Sequence, residues 1–190
     1  MMIQRLLLPV TLCLFTLACN QSAPVAPAAA AETGPKASDV FDKTLSGVEK
    51  EFVSLIEAMP ADKFDYAPTK GAFDGVRNFG AQAKHVAGVL NIVSASLLGE
   101  PAPGNENGPA EIKTKDQIVQ YVKDAFVHAH KAVATATGAT LLQELPNPFD
   151  AKSKMTRVEL LGEMSAHTFD HYGQIVEYAR MNNIVPPASR

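Results

Sequence analysis

Four stretches of this chain place apolar residues on one helical stripe, and that pattern constrains its fold more than any other feature. Over about 39–59 the stripe is Phe41, Leu45, Val48, Phe52, Leu55 and Met59, advancing by alternating steps of four and three. Over about 76–98 it is Phe79, Ala83, Val86, Leu90, Val93 and Leu97. A third stretch opens on Thr114 with Gln117 three residues later, a capping-box pattern. It continues through Ile118, Val122, Ala125, Ala129 and Ala132, a small-residue face suited to close helix approach. The fourth opens on a second capping box, Thr156 with Glu159, and runs to about Asn182. There Asn183 suits a left-handed stop, and Pro186 and Pro187 forbid continuation. The connections "ADKFDYAPTKGAFDG", "GEPAPGNENGPAEIK" and "TGATLLQELPNPFDAKSK" are rich in residues that interrupt regular structure. No strand-like alternation competes, so the pattern predicts an all-α four-helix bundle over residues 38–190.

The first 37 residues read differently. Arg5 followed by the apolar run "LLLPVTLCLFTLA", residues 6–18, has the form of an export leader too short to span a bilayer. Two processing routes fit. Lipoprotein processing at "TLAC" would leave Cys19 as a lipidated terminus and the membrane anchor; ordinary cleavage within "APAAAAE", residues 26–32, would release a soluble periplasmic domain. Residues 19–37 then form an Ala/Pro/Ser-rich tether with too little hydrophobic content to fold. Cys13 and Cys19 are the only cysteines, so the bundle has no disulfide, cysteine metal ligand or cysteine nucleophile. A net charge of −3 and the absence of tryptophan leave neither a basic field nor a stacking platform for nucleic acid. A homodimer is compatible with the chain, whose oligomeric state the sequence does not decide.

The unusual feature of the fourth stretch is "MSAHTFDHYGQIVEYARMNN". Its inward stripe runs Leu160, Met164, His167, His171, Ile175 and Tyr178, so two histidines occupy the apolar register itself. A pair four apart on a helix has Cβ atoms about 5–6 Å apart, close enough to share a ligand. Burying two imidazoles without partners costs roughly 1–3 kcal/mol each. A metal ion would satisfy both. His85 is the best third ligand, in the row His85, Val89, Ile92 and Ser96 beside the main apolar row of its helix. Three neutral histidines with an open fourth position are a catalytic rather than structural ligand set, with zinc–nitrogen distances of about 2.0–2.1 Å. His128 and His130 are two apart and point to different sides, as surface or partly buried residues. Gly173 reads as a close-packing position.

The block "HTFDHYGQIVEYARMNNIVPPAS", together with "VRNFGAQAKHVAG", resembles the DinB family of four-helix metalloproteins. The likeness extends over about residues 38–190. It implies a DinB-like bundle in which His85, from the second helix, joins the His167/His171 pair on the last. Asp170 stands where relatives often have glutamate, Ala179 where a larger apolar residue is usual, and Asn183 where glycine is common. The resemblance implies fold and site more than chemistry, because the family's reactions are mixed and include thiol-dependent transferases and isomerases.

Several chemistries are excluded by residue type. Thr168 follows His167, so there is no H-E-x-x-H protease base, and the inward carboxylates of a di-iron bundle are missing. Two functional classes remain. One is a metal-dependent envelope enzyme, a hydrolase or thiol transferase acting on a small molecule, with a divalent ion (zinc, or nickel or manganese) on His85, His167 and His171. Glu163, one turn before His167, and Asp170 are its candidate supporting acids, although Glu163 also reads as an ordinary solvated carboxylate and Asp170 is shorter than the usual glutamate. The other class is a non-catalytic metal-binding or partner-binding module.

Overall fold

A computed structural model of the chain describes residues 34–190. The leader, Cys19 and most of the tether lie outside the described residues. Four long helices follow: α1 (Ala37–Ala58), α2 (Phe79–Leu98), α3 (Lys115–Val133) and α4 (Arg157–Met181). α1 and α2 face each other across the diagonal of the bundle, each bordered by α3 and α4. α2 and α4 are therefore neighbours, which is what brings their histidines together. Every apolar stripe residue named above is buried except Phe41, which is partly exposed and packs against the core. Phe52 and Phe126 join α1 to α3 with ring centroids 6.3 Å apart. No helix among the described residues is long and apolar enough to cross a membrane.

Local chemistry sets the helix ends. Both capping boxes form: Thr114 and Thr156 accept from the backbone N–H groups of Gln117 and Glu159, whose side chains accept in return from the cap N–H groups. α2 begins at Phe79 rather than near Val76, because the Asn78 side chain accepts from the Ala81 N–H at 2.7 Å. Two further orphan donors of that first turn, the N–H groups of Phe79 and Gly80, bond to the carbonyls of Tyr66 and Phe64 in the preceding connection. α2 stops at Gly99 in the left-handed conformation, and Asn183 takes that conformation (φ 60°) just beyond α4.

The connection before α4 holds a feature that the hydrophobic pattern does not show. Glu144–Pro146 (β1) pairs antiparallel with Lys154–Thr156 (β2), with Leu145 opposite Met155. Three residues per strand are too few for alternation to register. The hairpin shapes the segment 147–153, which carries Phe149 toward the histidine site.

His128 and His130 are partly buried, as their spacing implies, but each is clamped. His128 lies 2.9 Å from both Asn91 Oδ1 and Glu100 Oε2. His130 bonds Asp42 at 2.6 Å and Glu49 at 2.9 Å, on opposite sides of its ring. Burial pulls the His130 pKa down, but the bonds and charges of Glu49 and Asp42 outweigh it and hold it above the ordinary value. It thus ties α3 to α1 rather than gathering a metal.

Candidate metal centre

His85, His167 and His171 come together at the α2–α4 interface. One ring nitrogen from each lies within 4.8 Å of the others, close enough for a single ion between them. Ring centroids stand 5.0, 4.8 and 4.5 Å apart, with every pair steeply inclined edge to face. His85 and His171 are buried, whereas His167 is half-buried and faces an opening.

The bonding of these rings fits a metal ion. Nε2 of His167 and Nδ1 of His171 are buried without any hydrogen-bond partner. Such orphaned nitrogens are rare in a packed interior and costly unless something binds them. His85 places Nδ1 3.2 Å from the carbonyl oxygen of Glu106, a bond that requires N–H at Nδ1 and leaves Nε2 with its lone pair. That bond depends on Gly88, one turn along α2. A Cβ at Gly88 would overlap the Glu106 carbonyl oxygen and stand 2.6 Å from its carbon, so only glycine lets the α2–α3 loop lie against the helix here. On His167, Nδ1 lies 3.7 Å from Glu163 Oε1, the supporting place expected for that acid. Asp170 instead accepts from Gln174, whose side-chain oxygen accepts in turn from buried Gln82 at 2.8 Å. This amide chain braces α2 against α4 beside the histidines.

Burial keeps the rings neutral. Burial, above all, lowers the pKa of all three. His171 falls to about 4, helped by repulsion from His167 and His85. Neutral imidazoles are the ligating form, so an ion can enter near pH 7 without first displacing protons. A stability consequence follows for metal-free protein. Above pH 6.5 the folded and unfolded imidazoles are both neutral; below it the unfolded chain takes up protons that the folded cluster resists, His171 down to about pH 4. Stability is therefore lost as pH falls from about 6.5 toward 4. Thermal melts with chelator present are expected to show Tm falling across that range in the wild type and less steeply in His171→Leu.

His167 and His85 open on a cleft of about 320 Å³. Val89 and Phe149 give it apolar walls, while Arg77, Glu106 and Glu163 supply charge. Sequence reasoning singled out Glu163 but not Arg77, Glu106 or Phe149. Only Arg77 had a local signal, its place in "VRNFG". Gly173, read as a close-packing position, is not one: a Cβ there would meet nothing within 4 Å.

An all-α bundle whose second and last helices converge three histidines on one point defines a class of helical proteins able to hold a metal ion. The particular family follows from comparison: residues 44–175 match the sequence model of the DinB superfamily, and the chain belongs to it. Its fold is similar to a DinB-like protein from Bacillus cereus (TM-score 0.63, 14% identity, covering 78% of this chain and 95% of that one). It is likewise similar to a conserved protein from Enterococcus faecalis (TM-score 0.62, 13% identity, covering 77% and 97%). No curated protein matches significantly in sequence.

Proposed function

We propose that this domain binds one divalent metal ion, zinc first with nickel or manganese as alternatives, through His85, His167 and His171, and works as a hydrolase or thiol transferase on a small molecule. The observation that carries this reading is the pair of buried, partnerless nitrogens on His167 and His171 beside the lone pair of His85, at the head of an open cleft. A closed structural site would have no such opening.

When bound, an ion with an open position supplies Lewis acidity to a substrate oxygen or sulfur. The remaining roles fall to the chain. His85 is held in one tautomer by Glu106, so its Nε2 needs no reorientation. Val89 and Phe149 present apolar surface to one side of the cleft. Glu163 lines the cleft with a half-exposed carboxylate, placed to take a proton from an attacking hydroxyl or thiol at Oε2, the oxygen not turned toward His167. We place this activity in the cell envelope, delivered by leader 1–18 and either anchored through Cys19 or released by cleavage farther on.

Two assays test the class: hydrolysis of p-nitrophenyl acetate, and conjugation of 1-chloro-2,4-dinitrobenzene to a small thiol, each with zinc-loaded and chelator-stripped protein. One reaction should depend on zinc, vanish in His171→Ala, and slow by about 10²-fold in Glu163→Gln with zinc still bound. Equal rates for loaded and stripped protein in both assays would favour a non-catalytic module.

A further inference from the structure

Arg77 precedes α2, and its backbone is tied to α4 by the Tyr178 hydroxyl, which donates to the Arg77 carbonyl at 3.2 Å. Its side chain lines the histidine cleft and is the one arginine or lysine there among the described residues. The guanidinium donates to the Glu106 carboxylate at 3.2 Å and to Asn107 Oδ1 at 3.2 and 3.3 Å. A permanent positive charge beside a cation site is an electrostatic cost unless an anion shares the space. Glu106 supplies that anion, but from a loop, with 48% of its side chain exposed. Exposed ion pairs of this kind hold weakly and exchange readily.

We propose that Arg77 is the carboxylate anchor of the site, and that the substrate is a small organic acid whose carboxylate takes the place of Glu106 on the guanidinium while its reactive end lies against the three histidines. This rests on the metal-centre reading above. Glu106 shows that a carboxylate oxygen can sit on the guanidinium at this spot, bonded through Nη2, while the Nε–Nη2 edge is turned to the amide oxygen of Asn107. Lys84, which lines a separate pocket together with Arg77, is committed to the carbonyls of Pro109 and Ile112 at 2.8 and 3.0 Å and holds the loop down. Arg77 is left as the cation that can change partners. Val89 and Phe149 would cover the hydrocarbon between the substrate's two ends.

The test uses full-length protein loaded with cobalt(II), titrated with 3-mercaptopropionate and with 2-mercaptoethanol. Thiolate ligation to cobalt is read from its near-ultraviolet charge-transfer band. Wild type should bind the acid about tenfold or more tightly than the neutral thiol, the scale of a charge-assisted contact. Arg77→Gln should abolish that preference while the cobalt spectrum before thiol addition stays unchanged. Glu106→Gln should strengthen acid binding several-fold by removing the internal competitor, a gain that a merely structural ion pair would not give. Equal binding of the two thiols by wild type, a preference surviving in Arg77→Gln, or weaker acid binding in Glu106→Gln would each overturn the anchor. Failure of cobalt to bind wild type would overturn the metal centre itself, and the anchor with it.

Discussion

Gly88→Ala will lower zinc affinity by about 10–100-fold, the usual effect of losing a partner that orients a ligating histidine. The added methyl would run into the backbone of Glu106, which has no rotamer by which to withdraw. The α2–α3 loop must then lift, and the Glu106 carbonyl leaves His85 Nδ1. His85 would keep its place on α2 but lose the bond that fixes its tautomer and ring angle. Competition against a chromogenic zinc chelator reads the effect. Gly173→Ala is the matched control, a helical glycine with open space around it. It should gain about 0.5–1 kcal/mol of stability and leave zinc affinity unaltered. Wild-type affinity in Gly88→Ala would show that the Glu106 carbonyl does not position His85.

His171→Leu will stabilise the metal-free protein by about 1–3 kcal/mol, the cost of a buried unsatisfied polar group. His171 is only 7% exposed, and its Nδ1 has no partner. Leucine has similar bulk, and Ile175, one turn farther along the same stripe, is fully buried. With chelator present, the variant should melt several degrees higher, since 1 kcal/mol shifts Tm by about 2–4 °C in a domain of this size. Excess zinc should reverse the order, because only the wild type gains binding free energy. Such a reversal marks a residue kept for function at the expense of packing. A variant that melts lower than wild type in chelator would mean that the imidazole is satisfied without an ion.

The helices were legible because burial imposes a period. Leu45, Val48, Phe52 and Leu55 declare α1 by spacing, and Thr114/Gln117 and Thr156/Glu159 declare two starts by chemistry. The same period exposed His167 and His171 as polar residues in an apolar register. It placed His85 beside the main row of α2, which made it the best third ligand, and the family resemblance implied the same three residues. What escaped notice lies in the connections. Arg77, Glu106 and Phe149 reach the cleft from irregular segments, which have no period to read. Gly88 carries no signal of its own in the sequence, because its role appears only once the Glu106 backbone lies against it. β1 and β2 are too short to leave a pattern, and Gly173 shows that a helical glycine need not mark close approach.

The site stands on three imidazoles that hold one ion in common. The most direct measurement of that is elemental analysis of the full chain, purified without chelator or polyhistidine tag, equilibrated with zinc and desalted, beside His167→Ala and His171→Ala. Close to one zinc per wild-type chain is expected, and a small fraction of that in either variant, with all three proteins folded by circular dichroism. A folded wild-type protein that retains no zinc, or variants that retain as much as wild type, would contradict a shared ion.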